Sequence, residues 1–370
     1  MASSSKSRLL RLLNFIGPIL GLLVVVVFFA VLLGIHDVQK RMERDAESTR
    51  VEGKSTTPAA GFQATFRSMS LLDEKDFPGL LAFISGRNAK VILAQTVIVA
   101  ICALGMTMII VSGGIDLSLG STVALTSVVG ATLIVNTQLA VTVAFVTMMV
   151  GGLIGLLNGV AIAGFRMMPF IVTLGMMGVA RGLAKWIGKN QTVNYPPEFP
   201  LNQIMAQESP EKLLPLPTGV WLAIGLAILM SVIMRRTVFG RYVFAIGSNE
   251  TAARLSGIRV QMHKTIIYTL AGFFFGLGGL MQMSRLNQGD PSVAIGLELD
   301  VIAAVVIGGA SLNGGSGSIA GSMIGALIMA VLRNGSSQSE WPNYMQEIII
   351  GLVIILAVGL DQLRQGRAKG

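Results

Sequence analysis

A carboxylate and a hydroxyl, Asp116 and Ser118, lie in the glycine-rich run Gly113–Ser121, between the apolar stretches Val91–Val111 and Thr122–Val135. A charge inside a bilayer costs roughly 2.5–3.5 kcal/mol or more unless it faces protein or water. Non-helical backbone at that depth occurs only where it is buried in protein or lines a cavity. The run therefore predicts a helix break deep in a membrane, next to a polar substrate or group. Such a break is typical of a transport subunit.

Two aspartates hold comparable positions, Asp116 before a helix predicted from Leu117 and Asp300 before one predicted near Val301. Each carboxylate has two interpretations. It could accept hydrogen bonds from the free amides of the helix start, as N-terminal caps do. Alternatively, it could face a path through the membrane and bind a solute or an ion there. We favour the cap for both, because a glycine-rich helix break leaves amides that need acceptors.

Cysteine, histidine and nucleotide-binding chemistry are scarce. The chain has one cysteine, Cys102, in an apolar run, and two histidines, His36 and His263, in different polar segments. This scarcity excludes disulfides, predicts no metal site and argues against an intramembrane enzyme. The tripeptide Gly53-Lys54-Ser55 resembles the end of a phosphate-binding loop, but Ser48 stands where such a loop requires glycine. If transport uses ATP, a separate subunit must therefore bind it.

The composition requires that most of the chain lie in lipid. Charged residues make up 13% of the chain, against about 25% in soluble domains, and the mean hydropathy is +0.70. We predict an all-α polytopic membrane protein with about ten transmembrane helices, some of them broken or short. The apolar stretches are Leu12–Ile35, Val91–Val111, Ser121–Val135, Leu139–Phe165, Pro169–Ile187, Val220–Met234, Thr265–Met283, Leu299–Leu312, Ser318–Leu332 and Ile348–Leu360.

The distribution of charge predicts the orientation, and it indicates no nucleic-acid-binding surface although the net charge is +9. Cytoplasmic segments of membrane proteins carry an excess of lysine and arginine. An orientation with both termini in the cytoplasm satisfies this rule, with Glu250 and Asp361 as the only acidic residues on that side. The basic residues assigned to that side are Lys6, Arg8, Arg11, Arg166, Arg235, Arg236, Arg241, Arg254, Arg259, Lys264, Arg364, Arg367 and Lys369.

Four segments follow from this topology. Residues 1–35 form the cytoplasmic N-terminus and an uncleaved first span, and residues 36–90 form a periplasmic insert with a possible surface helix at Val38–Val51 and a linker at Ser55–Gly61. Residues 91–361 form the membrane core, and residues 362–370 form a cytoplasmic tail. Glycines at four-residue spacing within the core predict close helix packing.

The longest cytoplasmic segment, Arg235–Lys264, contains a short predicted helix. Asn249 can cap a helix from Glu250 to Ser256, and Gly257 can end it. This segment is either a basic loop on the membrane surface or a docking helix for a soluble partner. Its residues are Ser248, Asn249, Glu250, Thr251, Ala252, Ala253, Arg254, Leu255, Ser256 and Gly257.

Several motifs in order resemble the permease subunits of ribose/xylose/galactose-type ABC importers. The resemblance covers about Val91–Asp361, and the chain departs from the family at His36–Asn88, where family members usually have a shorter connection. The motifs are Gly113–Ser121, Asn158-Gly159, Pro169–Gly175, Ala180-Arg181-Gly182, Ala245–Ile258, Leu299–Gly309, Ser311–Gly317 and Leu332–Gly335.

The resemblance implies a multi-pass protein of the bacterial inner membrane that forms the path for a pentose or hexose. It implies three protein partners: a cytoplasmic ATPase that binds ATP and Mg, a periplasmic sugar-binding protein, and a second permease subunit, most simply a second copy. The chain itself would bind no cofactor, metal or nucleic acid, and would contact membrane lipid. The segment Ser248–Gly257 would be the ATPase-docking site.

The candidate pathway or helix-break residues are Gly114, Asp116, Ser118, Asn158, Thr173 and Asp300. An ion-coupled secondary transporter remains an alternative, in which Asp116 and Asp300 would be ion or proton sites and no docking helix would be needed. Co-purification of an ATPase would distinguish the two hypotheses.

Overall fold

The computed structural model describes residues 2–51, 77–136, 139–206 and 216–369. Within these ranges the chain forms thirteen α-helices, a short 3-10 helix at Pro200–Ile204, and two two-residue strands, β1 (Val193–Asn194) and β2 (Gln288–Gly289). The helices are α1 (Ala2–Val51), α2 (Pro78–Ile84), α3 (Gly86–Val111), α4 (Leu119–Asn136), α5 (Ala140–Gly164), α6 (Pro169–Ile187), α7 (Thr218–Arg236), α8 (Val238–Ser248), α9 (Glu250–Leu255), α10 (Val260–Leu286), α11 (Leu297–Ile307), α12 (Ile319–Gln338) and α13 (Asn343–Lys369).

The predicted all-α polytopic fold is confirmed. Among the described residues, seven helices are long and apolar enough to cross a membrane, and Leu119–Val135 and Tyr344–Leu356 are shorter apolar helices. The stretch Leu299–Leu312, predicted as short or broken, corresponds to α11, which has eleven residues. At 1.5 Å per residue α11 is too short to cross alone. Each of the ten predicted stretches thus has a helix.

The predicted boundary between the first span and the periplasmic insert, at residue 35, falls inside a continuous helix. Helix α1 extends without interruption to Val51, so Val38–Val51 is not a separate surface helix. The proposed linker Ser55–Gly61 lies outside the described residues. The chain returns to the membrane body at α2, where both carboxylate oxygens of Asp37 accept hydrogen bonds from backbone amides, of Gly79 at 3.2 Å and of Leu80 at 2.9 Å. A residue of α1 thereby caps the start of α2.

Helix α3 lies at the centre of the bundle. In its most apolar 18-residue window 94% of the residues are buried, compared with 17% for α1 and for α6. Helices α7, α10, α11 and α12 pack around it. A helix that is apolar on every side is expected to be enclosed by protein or lipid, and here the neighbours are protein. Helices α1 and α6 instead turn apolar surface outward, toward the lipid.

The most extensive helix pair is α5 with α10, and glycines allow its close approach. A β-carbon at Gly151 would lie 2.7 Å from the Gly276 α-carbon, and one at Gly155 would overlap the carbonyl oxygen of Tyr268. A second close pair joins α11 and α12, where a β-carbon at Gly325 would overlap the carbonyl oxygen of Ala304. The helix packing predicted from the glycine spacing is confirmed in both places.

The two ends of the bundle differ in charge and structure. We call the end that carries residues 235–264 the basic end. It contains α8 and α9, together with the loop 308–318. At the opposite end β1 and β2 pair antiparallel, with Val193 opposite Gly289.

Candidate functional site

The polar residues of the break between α3 and α4 form a closed hydrogen-bonded group. The Asp116 Oδ1 atom accepts from the Ser118 amide at 2.8 Å and from the Ser118 hydroxyl at 2.6 Å. The Asn158 Nδ2 atom donates to Asp116 Oδ2 at 3.2 Å and to Ser118 Oγ at 3.0 Å. All three side chains are at most 1% exposed. This group joins α5 to the start of α4.

The predicted cap at Asp116 needs correction in its register. Helix α4 begins at Leu119 rather than Leu117, and the Thr122 amide already pairs with the Ser118 carbonyl. Asp116 therefore satisfies the amide of Ser118, which precedes the helix, because the chain turns there before entering α4. Beside it, Gly114 is required because a β-carbon would overlap the Tyr268 hydroxyl. The break is thus packed against α5 and α10.

Asp300 occupies a different environment, and its predicted cap role is wrong. Helix α11 begins at Leu297, after Gly296 in the left-handed conformation at φ +79°, so Asp300 lies inside the first turn. Its side chain is 2% exposed, and its Oδ2 atom forms an ion pair with Arg333 Nη2 at 2.5 Å. The Oδ1 atom is buried and has no hydrogen-bond partner among the described residues.

A cavity of about 320 Å³ surrounds this ion pair. Its polar lining comes from four helices: Gln95 of α3, Gln282 and Arg285 of α10, Asp300 of α11, and Arg333 of α12. Gln95 and Arg285 also line a neighbouring cavity of about 460 Å³, which extends past Asn202, Gln203 and Asn287 toward the strand end of the bundle. Together the two cavities form a polar recess that opens opposite the basic end. We call it the outer recess.

The starts of α4 and α11 lie against each other, although Asp116 and Asp300 do not share a site. A β-carbon at Gly120, in the first turn of α4, would overlap the Ala294 carbonyl oxygen and a carboxylate oxygen of Glu298 at the start of α11. The segment before α11 is held by Arg181, whose Nη1 atom donates to the carbonyls of Pro291 and Val293 at 2.7 Å each. The break precedes α4 and the outer recess is lined by α11, so the contact between the starts of these two helices connects the break to the recess.

The segment Ser248–Gly257 forms the short helix that the sequence predicts. The Asn249 Oδ1 atom accepts from the Ala252 amide at 2.9 Å, helix α9 covers Glu250–Leu255, and Gly257 follows it at φ +84°. Glu250 contacts Lys264 at 2.6 Å and Arg254 at 2.9 Å. The hydrogen bond from Lys264 holds the pKa of the Glu250 carboxyl below its ordinary value, and Arg254 acts in the same direction.

Helix α9 is exposed and yet connected to the break. Leu255 is 84% exposed, while Ser248 packs against Gly315. The Gly315 amide donates to the carbonyl of Val111, the last residue of α3, at 2.8 Å. A β-carbon at Gly247 would overlap that same carbonyl oxygen. Gly247 and Ser248 are the last residues of α8, so a force on α9 would reach the end of α3 through α8.

Thr173 belongs neither to the hydrogen-bonded group around Asp116 nor to the outer recess around Asp300. Its hydroxyl donates to the Pro169 carbonyl within α6 at 2.9 Å, and the side chain is fully buried. The sequence interpretation also missed the recess residues Gln95, Gln282, Arg285 and Arg333. One signal was available for the two arginines, because each lies near the end of an apolar helix away from the basic end, against the usual charge bias.

Comparison with known proteins decides the family. Residues 88–358 match the family described as "Branched-chain amino acid transport system / permease component". The chain belongs to this permease family. It is 37% identical to the "Ribose import permease protein RbsC" of Escherichia coli (strain K12) over 332 residues, which covers 84% of this chain and 100% of that protein. No solved structure matches the chain.

Other permeases of the family are similar over comparable lengths. The "L-arabinose ABC transporter permease protein AraH" of Azospirillum brasilense is 36% identical, over 78% of this chain and 83% of that protein. The "Xylose transport system permease protein XylH" of Escherichia coli (strain K12) is 34% identical, over 78% and 88%. The predicted resemblance to sugar-importer permeases is confirmed. None of these relatives supports the ion-coupled alternative.

Proposed function

We propose that this permease forms the translocation path for a monosaccharide in an ATP-binding-cassette importer of the bacterial inner membrane. The observation that carries the proposal is the 37% identity to a ribose import permease over that protein's whole length. The arabinose and xylose permeases extend the support to pentoses as a class. A periplasmic binding protein would deliver the sugar at the strand end of the bundle, and a second permease subunit would complete the path.

The cytoplasmic ATPase would bind ATP and Mg and dock at Ser248–Gly257. Three observations support this site. Helix α9 is capped at its start and followed by a glycine, so it is a defined element. It exposes Leu255, an apolar side chain. It also follows directly on α8, whose residue Gly247 contacts the end of α3, and this gives a mechanical route from ATP hydrolysis to the break at Asp116.

The basic end would face the cytoplasm, together with both termini. Among the described residues this end carries Arg235, Arg236, Arg241, Arg254 and Arg259, and the excess of positive charge is typical of cytoplasmic segments. The outer recess would then open to the periplasm, where the binding protein releases its sugar.

Substitution of Leu255 tests the docking site. The variant Leu255→Lys keeps the cap at Asn249 and the ion pairs of Glu250, so we expect normal membrane insertion. ATP-dependent uptake in proteoliposomes, with ATPase and binding protein present, should fall at least tenfold. A matched control is Leu139→Lys, because Leu139 is also exposed, at 67%, but lies at the opposite end. It should leave uptake near wild type.

A second, more disruptive variant combines Glu250→Lys with Gly257→Leu. It removes the ion pairs of Glu250 and introduces a β-carbon at φ +84°, so uptake and ATP hydrolysis should become uncoupled. If both variants retain normal coupling, the docking assignment is wrong.

A further inference from the structure

The carboxylate of Asp300 and the side chains around it make the outer recess chemically different from a plain water-filled opening. We propose that the inner part of the recess, at Asp300, is a binding site for a neutral monosaccharide within the permease itself. The proposal rests on the function proposed above and adds to it a specific contact between sugar and permease. It concerns the cavity of about 320 Å³, at the lower end of the 300–1,000 Å³ typical of small-molecule sites.

The unpaired oxygen of Asp300 is the first argument. Buried polar atoms are nearly always hydrogen-bonded, and exceptions need an explanation. Asp300 Oδ1 is buried without a partner among the described residues, while Oδ2 is engaged by Arg333. Gln95 lines the same cavity, and its Oε1 atom is also buried without a partner among the described residues. Two acceptors that lack donors favour a ligand that brings hydroxyl groups.

The donors in the cavity are the second argument. Arg285, Arg333 and the amide of Gln282 supply N–H groups beside these acceptors. A sugar hydroxyl both donates and accepts, so neighbouring hydroxyls can pair with a carboxylate and a guanidinium at the same time. A purely apolar ligand would leave all of these groups unpaired, and a monovalent cation would meet two guanidinium groups. The lining therefore fits a polyhydroxylated molecule best.

Charge favours a neutral sugar over a sugar acid. Arg333 is already neutralised by Asp300, and the unpaired oxygen of Asp300 would repel a carboxylate that entered the cavity. Glu298 lies on the same first turn of α11 and is half-buried, which adds a second negative group nearby. The charges of Asp300, Glu298, Arg285 and Arg333 sum to zero, so the site has no net positive charge that would attract a sugar acid. Entry is open from the strand end through the cavity beside Asn202 and Gln203.

Binding to the isolated permease tests the proposal without the partner proteins. Purified full-length protein in lipid nanodiscs would be mixed with D-ribose, L-arabinose or D-xylose, and saturation-transfer difference NMR would detect contact. We expect saturation transfer to at least one sugar. The variants Gln95→Met and Gln282→Met keep side-chain volume but remove the amide, and each should weaken binding about three- to tenfold, the effect of one neutral hydrogen bond. Thr269→Val is the control, because its hydroxyl donates to the Thr265 carbonyl within α10.

The outcomes separate this proposal from the proposed function. Saturation transfer that is weakened by both glutamine variants and kept by Thr269→Val supports the site. If none of the three sugars shows transfer, or the glutamine variants bind like wild type, while the assembled importer takes up sugar, the site is wrong and the importer stands. If D-gluconate binds there and the neutral sugars do not, the assigned ligand class is wrong. If the assembled importer takes up none of the three pentoses and no hexose, the proposed function fails instead.

Discussion

Replacement of Asp116 tests whether its carboxylate only accepts hydrogen bonds that stabilise the fold, or whether transport requires its negative charge. Asp116 accepts three hydrogen bonds, from the amide and hydroxyl of Ser118 and from Asn158 Nδ2. Asn158 Oδ1 is buried and unpaired among the described residues. In Asp116→Asn, the Oδ1 atom keeps the bond from the Ser118 amide. The new amide nitrogen can donate to Asn158 Oδ1 once the Asn158 side chain turns by 180°.

The expected costs follow from these contacts. Asp116→Asn loses about one hydrogen bond, so the free energy of unfolding should fall by about 0.5–1.5 kcal/mol, partly offset because a buried charge is removed. Asp116→Ala leaves the buried Ser118 amide unpaired and removes two further bonds, while Asn158 retains Ser118 Oγ as an acceptor. That should cost roughly 2–5 kcal/mol. The alanine variant should therefore give a much lower folded yield than the asparagine variant.

Unfolding in mixed detergent micelles, together with uptake in proteoliposomes, measures both quantities. Asp116→Asn should retain most of the uptake per folded molecule. The control Ser121→Ala removes one hydroxyl that donates only to the Ser118 carbonyl, at 2.9 Å, and should cost about 1 kcal/mol. An Asp116→Asn protein that is stable but inactive would refute this reasoning, because it would show that the carboxylate charge itself is required.

Two further predictions concern packing and pH. The new β-carbon of Gly155→Ala would overlap the Tyr268 carbonyl oxygen, so this variant should lower the free energy of unfolding by about 1–3 kcal/mol or more. The control Gly178→Ala in α6 meets nothing within 4 Å and should be neutral or stabilising by up to about 1 kcal/mol. An equal free energy of unfolding for both variants would contradict the packing. The pKa of Glu250 is lowered in the folded protein. Its ion pair with Lys264 therefore stabilises α9 fully at a pH above the ordinary glutamate pKa of about 4.3, and this stabilisation is lost as the pH falls through the lowered pKa. The protection factors of the α9 amides, corrected for the intrinsic pH dependence of exchange, should therefore be steady from pH 7 to 5 and fall only below the ordinary glutamate pKa of about 4.3. An equal pH dependence in Glu250→Gln would exclude this cause.

Local features of the sequence predicted local features of the structure well. The cap at Asn249 and the glycine at 257 define α9 within one residue, because both act on the backbone immediately beside them. The glycine spacing in α5 and α10 predicted close packing for the same kind of reason, since any side chain at Gly151 or Gly155 would prevent it.

Features that depend on several helices were not predictable. The sequence places Asp300 at a helix start, but helix α11 begins four residues before Val301, after a glycine at positive φ. The outer recess needs side chains from α3, α10, α11 and α12, and no spacing along the chain relates Gln95 to Arg333. The apolar run ends at Ile35, whereas helix α1 extends to Val51, because the polar residues from His36 onward continue the helix instead of ending it.

The contact between α5 and α10 limits how the protein can move. Their backbones touch at Gly151, Gly155 and Gly159, so a slide of one residue along the axis would drive larger side chains into the opposite helix. These two helices must therefore move as one rigid body. That body includes Asn158, which hydrogen-bonds Asp116 and Ser118 in the break. A transport cycle therefore has to place its hinges elsewhere, at the irregular connections that precede α4 and α11.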